Sequence, residues 1–376
     1  MVLSKEDPNY RQCSISVMDN IADPDITFDE KGICNYYYEY LEAEKTFVLK
    51  GEEGQKKYEQ IITQLKTDGK GKKYDCILGV SGGVDSTYLA YLAKEAGLRV
   101  LCVHFDNGWN SELAVKNIQN IVEKCGFDLY TYVIDWEEFK DIQLSYFKAN
   151  VIDIEAVTDI AIFSALDIIC KEQGIKHIID GRNVVTEVTL PQAWICKNTS
   201  NLRDIHNRYG SAKRKAYPLM NPIRRRIVAR TKPFQSWPVL NYVPYDKSEA
   251  KKTIISELNW RDYGGKHYES VFTRFYQGYI LPEKFKVDKR KAHLSNLIFS
   301  GQLTKAEALT ELQEPIYPVH LFEQDYQFVI KKLGYTSDEF QAYLKQTPIP
   351  HQNYQMSLSI FDEIPFLKPL KSLFRK

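Results

Sequence analysis

Between residues 79 and 90 the chain reads GVSGGVDSTYLA. Ser81, Gly82, Gly83, Val84, Asp85 and Ser86 bring two hydroxyls, a bare glycine backbone and one carboxylate into a single turn. The residues before it, Tyr74 to Val80, form a short apolar run of strand type, and Thr87 to Ala96 carries apolar residues at helical spacing. The turn therefore joins a buried strand to a helix N-terminus. Unpaired N–H groups and the positive end of a helix dipole suit a phosphate there. Gly82 and Gly83 allow the main chain to approach an anion closely, because no Cβ intervenes. A Walker A loop would need a lysine after the last glycine, whereas Val84 and Asp85 follow here. A dinucleotide fingerprint would need a third glycine at set spacing, and it is missing.

Such a turn needs strands and helices to hold it. Apolar runs predict strands at 76–80, 99–105, 129–134 and 177–180, separated by helices at 86–96, 111–125 and 156–173. This alternation predicts an α/β fold, a parallel sheet with helices on both faces. Ligands of such sheets bind beyond the carboxyl ends of the strands. The suspicious residues fall there: 81–86 after the first strand, 106–109 after the second, 181–187 after the fourth. Residues 1 to about 45 read as irregular, 52–68 as a polar helix, and 67–73 as a linker. The expected organisation is an N-terminal segment 1–72, an α/β domain 73–230 and a mainly helical region 231–376.

Bulk composition narrows the class. The chain has 376 residues, with 50 Lys plus Arg against 49 Asp plus Glu. That balance argues against wrapping nucleic acid along the whole surface. No apolar run reaches the length of a membrane span and no secretory signal opens the chain, so a soluble cytoplasmic protein is expected. Seven scattered cysteines read as reduced thiols and not as a disulfide framework.

The SGGVDS turn resembles the pyrophosphate loop of the ATP pyrophosphatase (PP-loop) superfamily, whose adenine nucleotide alpha-hydrolase-like fold and cleavage of ATP between the α- and β-phosphates it then implies. By that resemblance Ser81, Gly82, Gly83, Val84 and Ser86 grip pyrophosphate and Asp85 helps place Mg2+. Further stretches narrow the resemblance: SVMDNIADPDITFDEKGICN near the N-terminus, TDIAI at 158–162, Gly181 to Glu187, and the long run from Trp260 beginning WRDYGGKHYESVFTRFYQGY. Together, over roughly 13–310, they look like the N-acetyl sugar amidotransferase family. This implies conversion of an acetamido group on a nucleotide-activated sugar to an acetamidino group, with ATP and Mg2+. It also implies a glutaminase partner of HisH type and a HisF-like ammonia-conducting partner. Relatives carry two cysteine pairs near the N-terminus, the number of thiolates in a structural zinc site. Here Ser16 and Tyr37 stand where each second cysteine would be, leaving Cys13 and Cys34. Two thiolates cannot close a tetrahedron, so no zinc is expected.

Other residues keep two readings. Asp106 and Asn107 either contact adenosine, with Asp106 on the ribose hydroxyls, or form a strand-end turn. Gly181 is assigned to the nucleotide. Glu187 either orients the acetamido group or holds metal, or it caps a helix with Thr186. Asn183 and Thr186 belong to the same substrate loop. Thr158 and Asp159 either face the pocket or complement a helix dipole. Lys266, His267 and Arg274 either bind the sugar's charged groups or are solvated charges at a helix start. The stretch 205–245 has no acidic residue and nine Lys or Arg. It binds an anionic nucleotide sugar, docks a partner, or is a solvated basic loop. The tail Leu367 to Lys376 mixes apolar residues with four cations, weak grounds for a membrane contact. Two rivals stand beside this reading: a tRNA-modifying ATP pyrophosphatase, and a scaffold without catalysis.

Overall fold

The computed structural model describes residues 7–220, 231, 234–265 and 268–356. The run Arg224-Arg225-Arg226 and the tail Leu367 to Lys376 lie outside the described residues. Five parallel strands form one sheet in the order β3-β2-β1-β4-β5: β1 Cys76–Gly79, β2 Val100–Asp106, β3 Asp128–Val133, β4 His177–Asp180 and β5 Gln235–Pro238. Register is set by pairs such as Leu78 with Cys102 and Leu78 with Ile179. Side chains alternate between the faces. Cys76, Leu78, Val100 and Cys102 pack under α2 (Gly51–Asp68), α3 (Val84–Glu95) and α4 (Glu112–Cys125). Ile77, Leu101, Val103 and Ile178 pack under α6 (Ala156–Gln173). Helices on both faces are what a parallel sheet requires.

Several elements escape the sequence reading. Helix α1, Asn35–Phe47, occupies a stretch expected to be irregular, and α5, Trp136–Ala149, fills the gap before α6. The fifth strand is contributed from beyond residue 230, so the sheet draws on the region expected to be helical. A second core ties the ends of the chain together. It contains Cys13, Met18, Cys34 and Tyr36, Phe139 and Phe147 of α5, and Phe272, Phe275 and Phe340 from the C-terminal helices Val271–Phe275 and Ser337–Lys345. No described helix is long and apolar enough to cross a membrane.

The chain runs outward from β1 to β2 and β3, then returns to place β4 on the other side of β1. This reversal opens a crevice at the carboxyl ends of β1 and β4, the place where such sheets take ligands.

Candidate nucleotide site

The turn 81–86 sits at that crevice. Gly82 has φ +84°, a conformation glycine adopts without steric cost. A Cβ there would lie 2.7 Å from Tyr263 Oη and 3.0 Å from the Ala114 carbonyl oxygen. Ser81 Oγ accepts from the Gly83 N–H at 3.2 Å and lies 3.4 Å from Ser86 Oγ. Gly83 is the N-cap of α3 and supplies no side-chain cap, so the first-turn N–H groups face the turn without one. Behind the turn, Gly181 at the end of β4 packs against Asp85, where a Cβ would come within 3.2 Å of Asp85 Cβ.

Chain far downstream holds the turn from outside. The Gly82 carbonyl accepts from Trp260 Nε1 at 2.7 Å and from Tyr263 Oη at 2.5 Å. Tyr245 Oη donates to Asp85 Oδ1. Burial raises the Tyr245 phenol, and the Asp85 and Glu187 carboxylates raise it further, so it stays a donor at neutral pH. Glu269 stands over Gly83, with Oε1 3.3 Å from where a Cβ would be. Its backbone carbonyl accepts from Ser111 N, and Val271 N donates to the Trp109 carbonyl, which stitches this segment to the loop after β2.

Asp106 ends β2. Its Oδ1 accepts from Gly108 N at 2.9 Å and Asn110 Nδ2 at 3.1 Å, so the strand-end turn is formed. A groove of about 570 Å3 opens beside it, lined by His104, Asp106, Asn110, Leu129 and Thr131 among others. His104 bridges β1 to this loop, through Val80 O at 3.2 Å and Asn110 Nδ2 at 3.1 Å. Asn107 Nδ2 donates to Thr158 Oγ1 at 3.3 Å, which brings the N-terminus of α6 to the strand ends. Next to it, Lys197 pairs with Asp159 at 2.9 Å. Burial opposes the charge on Lys197, but Asp159, Asp153 and Glu187 outweigh it and hold its pKa above the usual value. Glu187 thus lies within electrostatic reach of both Lys197 and Tyr245, between the turn and α6.

Two groups of expected residues are placed differently. Asn183 Oδ1 accepts from Thr186 N and Thr186 Oγ1, while Asn183 Nδ2 donates to Gly181 O. Both are buried, and they shape the short helix α7 (Val184–Glu187), so Thr186 caps with Asn183 and not with Glu187. Arg274 is engaged within the fold. Its guanidinium is buried, bonded to Asp325 Oδ2 at 2.7 Å and lying 5.5 Å over the Tyr268 ring. Lys266 and His267 lie outside the described residues. Conversely, Tyr245, Trp260 and Tyr263 were not singled out as site residues from sequence, since nothing local marks a partner 160 or more positions away, and neither was Lys197.

Mg2+ takes hard oxygen ligands and keeps several waters, so one or two carboxylates beside phosphates suffice for it. Asp85, Glu187 and Glu269 are carboxylates of that kind around the turn. Among the described residues no three His, Cys, Asp or Glu side chains form a metal cage. At the N-terminus, Cys34 N donates to Cys13 Sγ at 3.3 Å and Ser16 Oγ lies 3.9 Å from Cys34 Sγ. The Tyr37 ring packs on Phe299, 5.4 Å between centroids. Two thiols and a hydroxyl do not make the donor set of tetrahedral zinc.

The basic stretch begins as a strap. Asp141 of α5 accepts from Ser211 N, Ser211 Oγ and Ala212 N. Glu138 accepts from Lys215 N, Ala216 N and Tyr217 N. Burial works against the Asp141 carboxylate, but the Ser211, His206 and Ala212 donors outweigh it and hold its pKa down to about 2.

Comparison with known proteins fits this geometry. Residues 75–220 match the family described as queuosine biosynthesis protein QueC. Residues 269–365 match the C-terminal domain of the LPS biosynthesis protein WbpG-like family. The first stretch is thus of PP-loop ATP pyrophosphatase type, and the second is a WbpG-like C-terminal domain. An uncharacterized protein of Methanocaldococcus jannaschii is 26% identical over 322 residues, 83% of this chain and 97% of that protein. A 7-cyano-7-deazaguanine synthase of Methanoculleus marisnigri is 34% identical over 24% of this chain and 36% of its own. A tRNA(Ile)-lysidine synthase of Chlamydia pneumoniae is 38% identical over 19% of this chain and 23% of its own. Among solved structures, NMN synthetase from Francisella tularensis aligns with a TM-score of 0.37 and 13% identity, over 79% of this chain and 98% of that one.

Proposed function

We propose that this chain is the synthetase subunit of an ATP-dependent sugar amidotransferase. The observation that carries the reading is a junction: the segment matched by the LPS-type domain begins at Glu269, directly over Gly83 of the pyrophosphate turn. That junction supports reading the matched segment as an acceptor-side module set beside the nucleotide loop.

The acceptor is an acetamido group on a nucleotide-activated sugar. Its amide oxygen is a very poor leaving group. Attack of that oxygen on the α-phosphorus of ATP forms an O–P bond, expels pyrophosphate and leaves an O-adenylyl imidate. Ammonia then adds to the imidate carbon and AMP departs with the oxygen, leaving the acetamidine. Ser81, Ser86 and the Gly83 N–H receive pyrophosphate; Asp106, Asn107 and Gly181 flank the nucleoside side; Glu187 and the Lys197–Asp159 pair face the acetamido group. Asp85 would hold Mg2+, which would supply charge neutralisation at the phosphates. Ammonia must arrive dry, since in neutral water it is mostly ammonium and has no free lone pair.

The chain does not make that ammonia itself in this reading. A glutaminase needs an activated thiolate. Burial and the neighbouring Asp153 push the Cys196 thiol up to about 11, the wrong direction for a nucleophile. A HisH-type glutaminase and a HisF-like conduit are the partners this implies.

The test is mass spectrometry of nucleotide sugars incubated with the protein, ATP, Mg2+ and heavy-nitrogen ammonium at raised pH. Heavy nitrogen enters the product together with AMP and pyrophosphate. Glutamine alone gives none until a glutaminase is added. Turnover with glutamine as sole donor, abolished by Cys196→Ala, would make the chain self-sufficient. AMP formation with tRNA and with no sugar would move the acceptor to a nucleic acid.

A further inference from the structure

The Gly82–Gly83 peptide is the most easily inverted unit of the turn. Both residues lack a Cβ, and turning the peptide over changes only Gly82 ψ and Gly83 φ. Its direction nevertheless decides whether the turn can hold an anion. All described peptides are trans, so the Gly82 C=O and the Gly83 N–H point oppositely. With the carbonyl outward, the Gly83 N–H faces the hollow, where it now meets Ser81 Oγ at 3.2 Å. Inverted, the same peptide would aim a carbonyl oxygen at a phosphate oxygen and repel it.

Two donors hold the carbonyl outward. Trp260 Nε1 and Tyr263 Oη reach the one Gly82 oxygen at 2.7 and 2.5 Å, filling both its lone pairs. Trp260 is buried at 3% exposure, and its ring meets Tyr263 edge-on at 5.5 Å, so each fixes the other. Burial raises the Tyr263 phenol, so it remains a donor through the neutral range. Asn117 anchors the segment by accepting from Arg261 N at 2.9 Å and donating to Arg261 O at 2.8 Å.

We propose that Trp260 and Tyr263 are positioning residues that lock the Gly82–Gly83 peptide with its N–H toward the bound pyrophosphate. Neither touches the nucleotide; both act through one carbonyl. This rests on the reading of residues 81–86 as the pyrophosphate site, and the experiment separates the two.

Calorimetry with inorganic pyrophosphate and with ATP, each with Mg2+, needs no sugar. Tyr263→Phe removes one oxygen and one lock, and is expected to weaken both ligands about tenfold, because a binding-competent state populated at one tenth costs that factor. Trp260→Phe gives a loss of the same kind, and the double variant a larger one. In protein labelled with heavy nitrogen at glycine, the Gly83 amide signal shifts on adding pyrophosphate. That shift shrinks in Tyr263→Phe while the melting temperature stays near wild type, which a merely structural role would not produce. Tyr38→Phe, an exposed change on the N-terminal helix α1, leaves both readouts unchanged. If the wild type binds neither ligand, the pyrophosphate-site reading fails. If the wild type binds and both single variants bind equally well with the Gly83 shift intact, the lock is overturned.

Discussion

The pyrophosphate turn and the N-terminal knuckle at 12–37 are both loops closed by small polar side chains and braced by distant chain. They treat their polar groups in opposite ways. In the knuckle the groups turn inward and meet one another: Cys13, Ser16 and Cys34 are fully buried, and each thiol biases the other, Cys34 held up and Cys13 down. Lys305 Nζ reaches Cys13 O at 2.6 Å and Lys291 pairs with buried Asp19 at 2.5 Å, both from the C-terminal helices. In the turn, Trp260, Tyr263 and Tyr245 brace from outside and the first-turn amides of α3 have no side-chain cap. A closed loop gives up chemistry for packing; a loop braced from behind keeps its chemistry at the front.

This contrast sets the order of expected effects. The largest fall on the turn. Asp85→Asn and Ser81→Ala lower AMP formation by about 100-fold or more, the loss typical of removing a group that stabilises developing charge, while circular dichroism stays native. Near-normal AMP from both would break the comparison at its stronger side.

Next comes a third inward-facing group. His351 is buried, accepts from Asp153 N at 3.2 Å and bonds Asn201 through Nδ1 at 2.8 Å. Burial holds its pKa down to about 4, below the unfolded value of 6.5. Its contribution is therefore complete above pH 6.5 and drains away as pH falls toward about 4, by up to about 3 kcal/mol. Burial lifts neighbouring Asp153 to about 7, which favours the fold on the acid side and opposes the trend. The measurement is therefore the difference in urea stability between wild type and His351→Gln. That gap narrows between pH 6.5 and 4, and a constant gap would refute the assignment.

Smaller changes are expected in the knuckle. Cys34→Ala costs about 1–3 kcal/mol by emptying a packed site, and pyrophosphate affinity is unchanged. Smallest of all is the response to a chelator: no shift in melting temperature, and no stoichiometric zinc by elemental analysis. One zinc per chain would mean that the knuckle is a ligand site after all, and that other donors complete it.

Much of the frame was legible because buried parallel strands are short apolar runs, as at Cys76–Gly79 and His177–Asp180. The turn was legible because its residues are contiguous. Helix α5 hid behind charges, since WEEFKDIQLSYFKA mixes its apolar face with five charged residues. Strand β5 reads Gln-Ser-Trp-Pro and becomes a strand only by pairing with β4 at the sheet edge. Arg274 misled for a physical reason: a cation near a Gly-Gly turn looks like a ligand, but Asp325, 51 positions on, claims it. Tyr245, Trp260, Tyr263 and Lys197 gave no signal as site residues because their role exists only across the folded crevice.

The clamp on Gly82 also has a consequence for synthesis. The ribosome releases the turn early, yet Tyr263 is 181 positions further along. At roughly 5–20 residues per second, the nascent chain carries the turn without its clamp for about ten to forty seconds. The fifth strand emerges within the same interval, and the helices that complete the second core with Cys13 and Cys34 follow it. A product truncated before Trp260 therefore displays the sequence of the turn without the side chains that hold its Gly82 carbonyl.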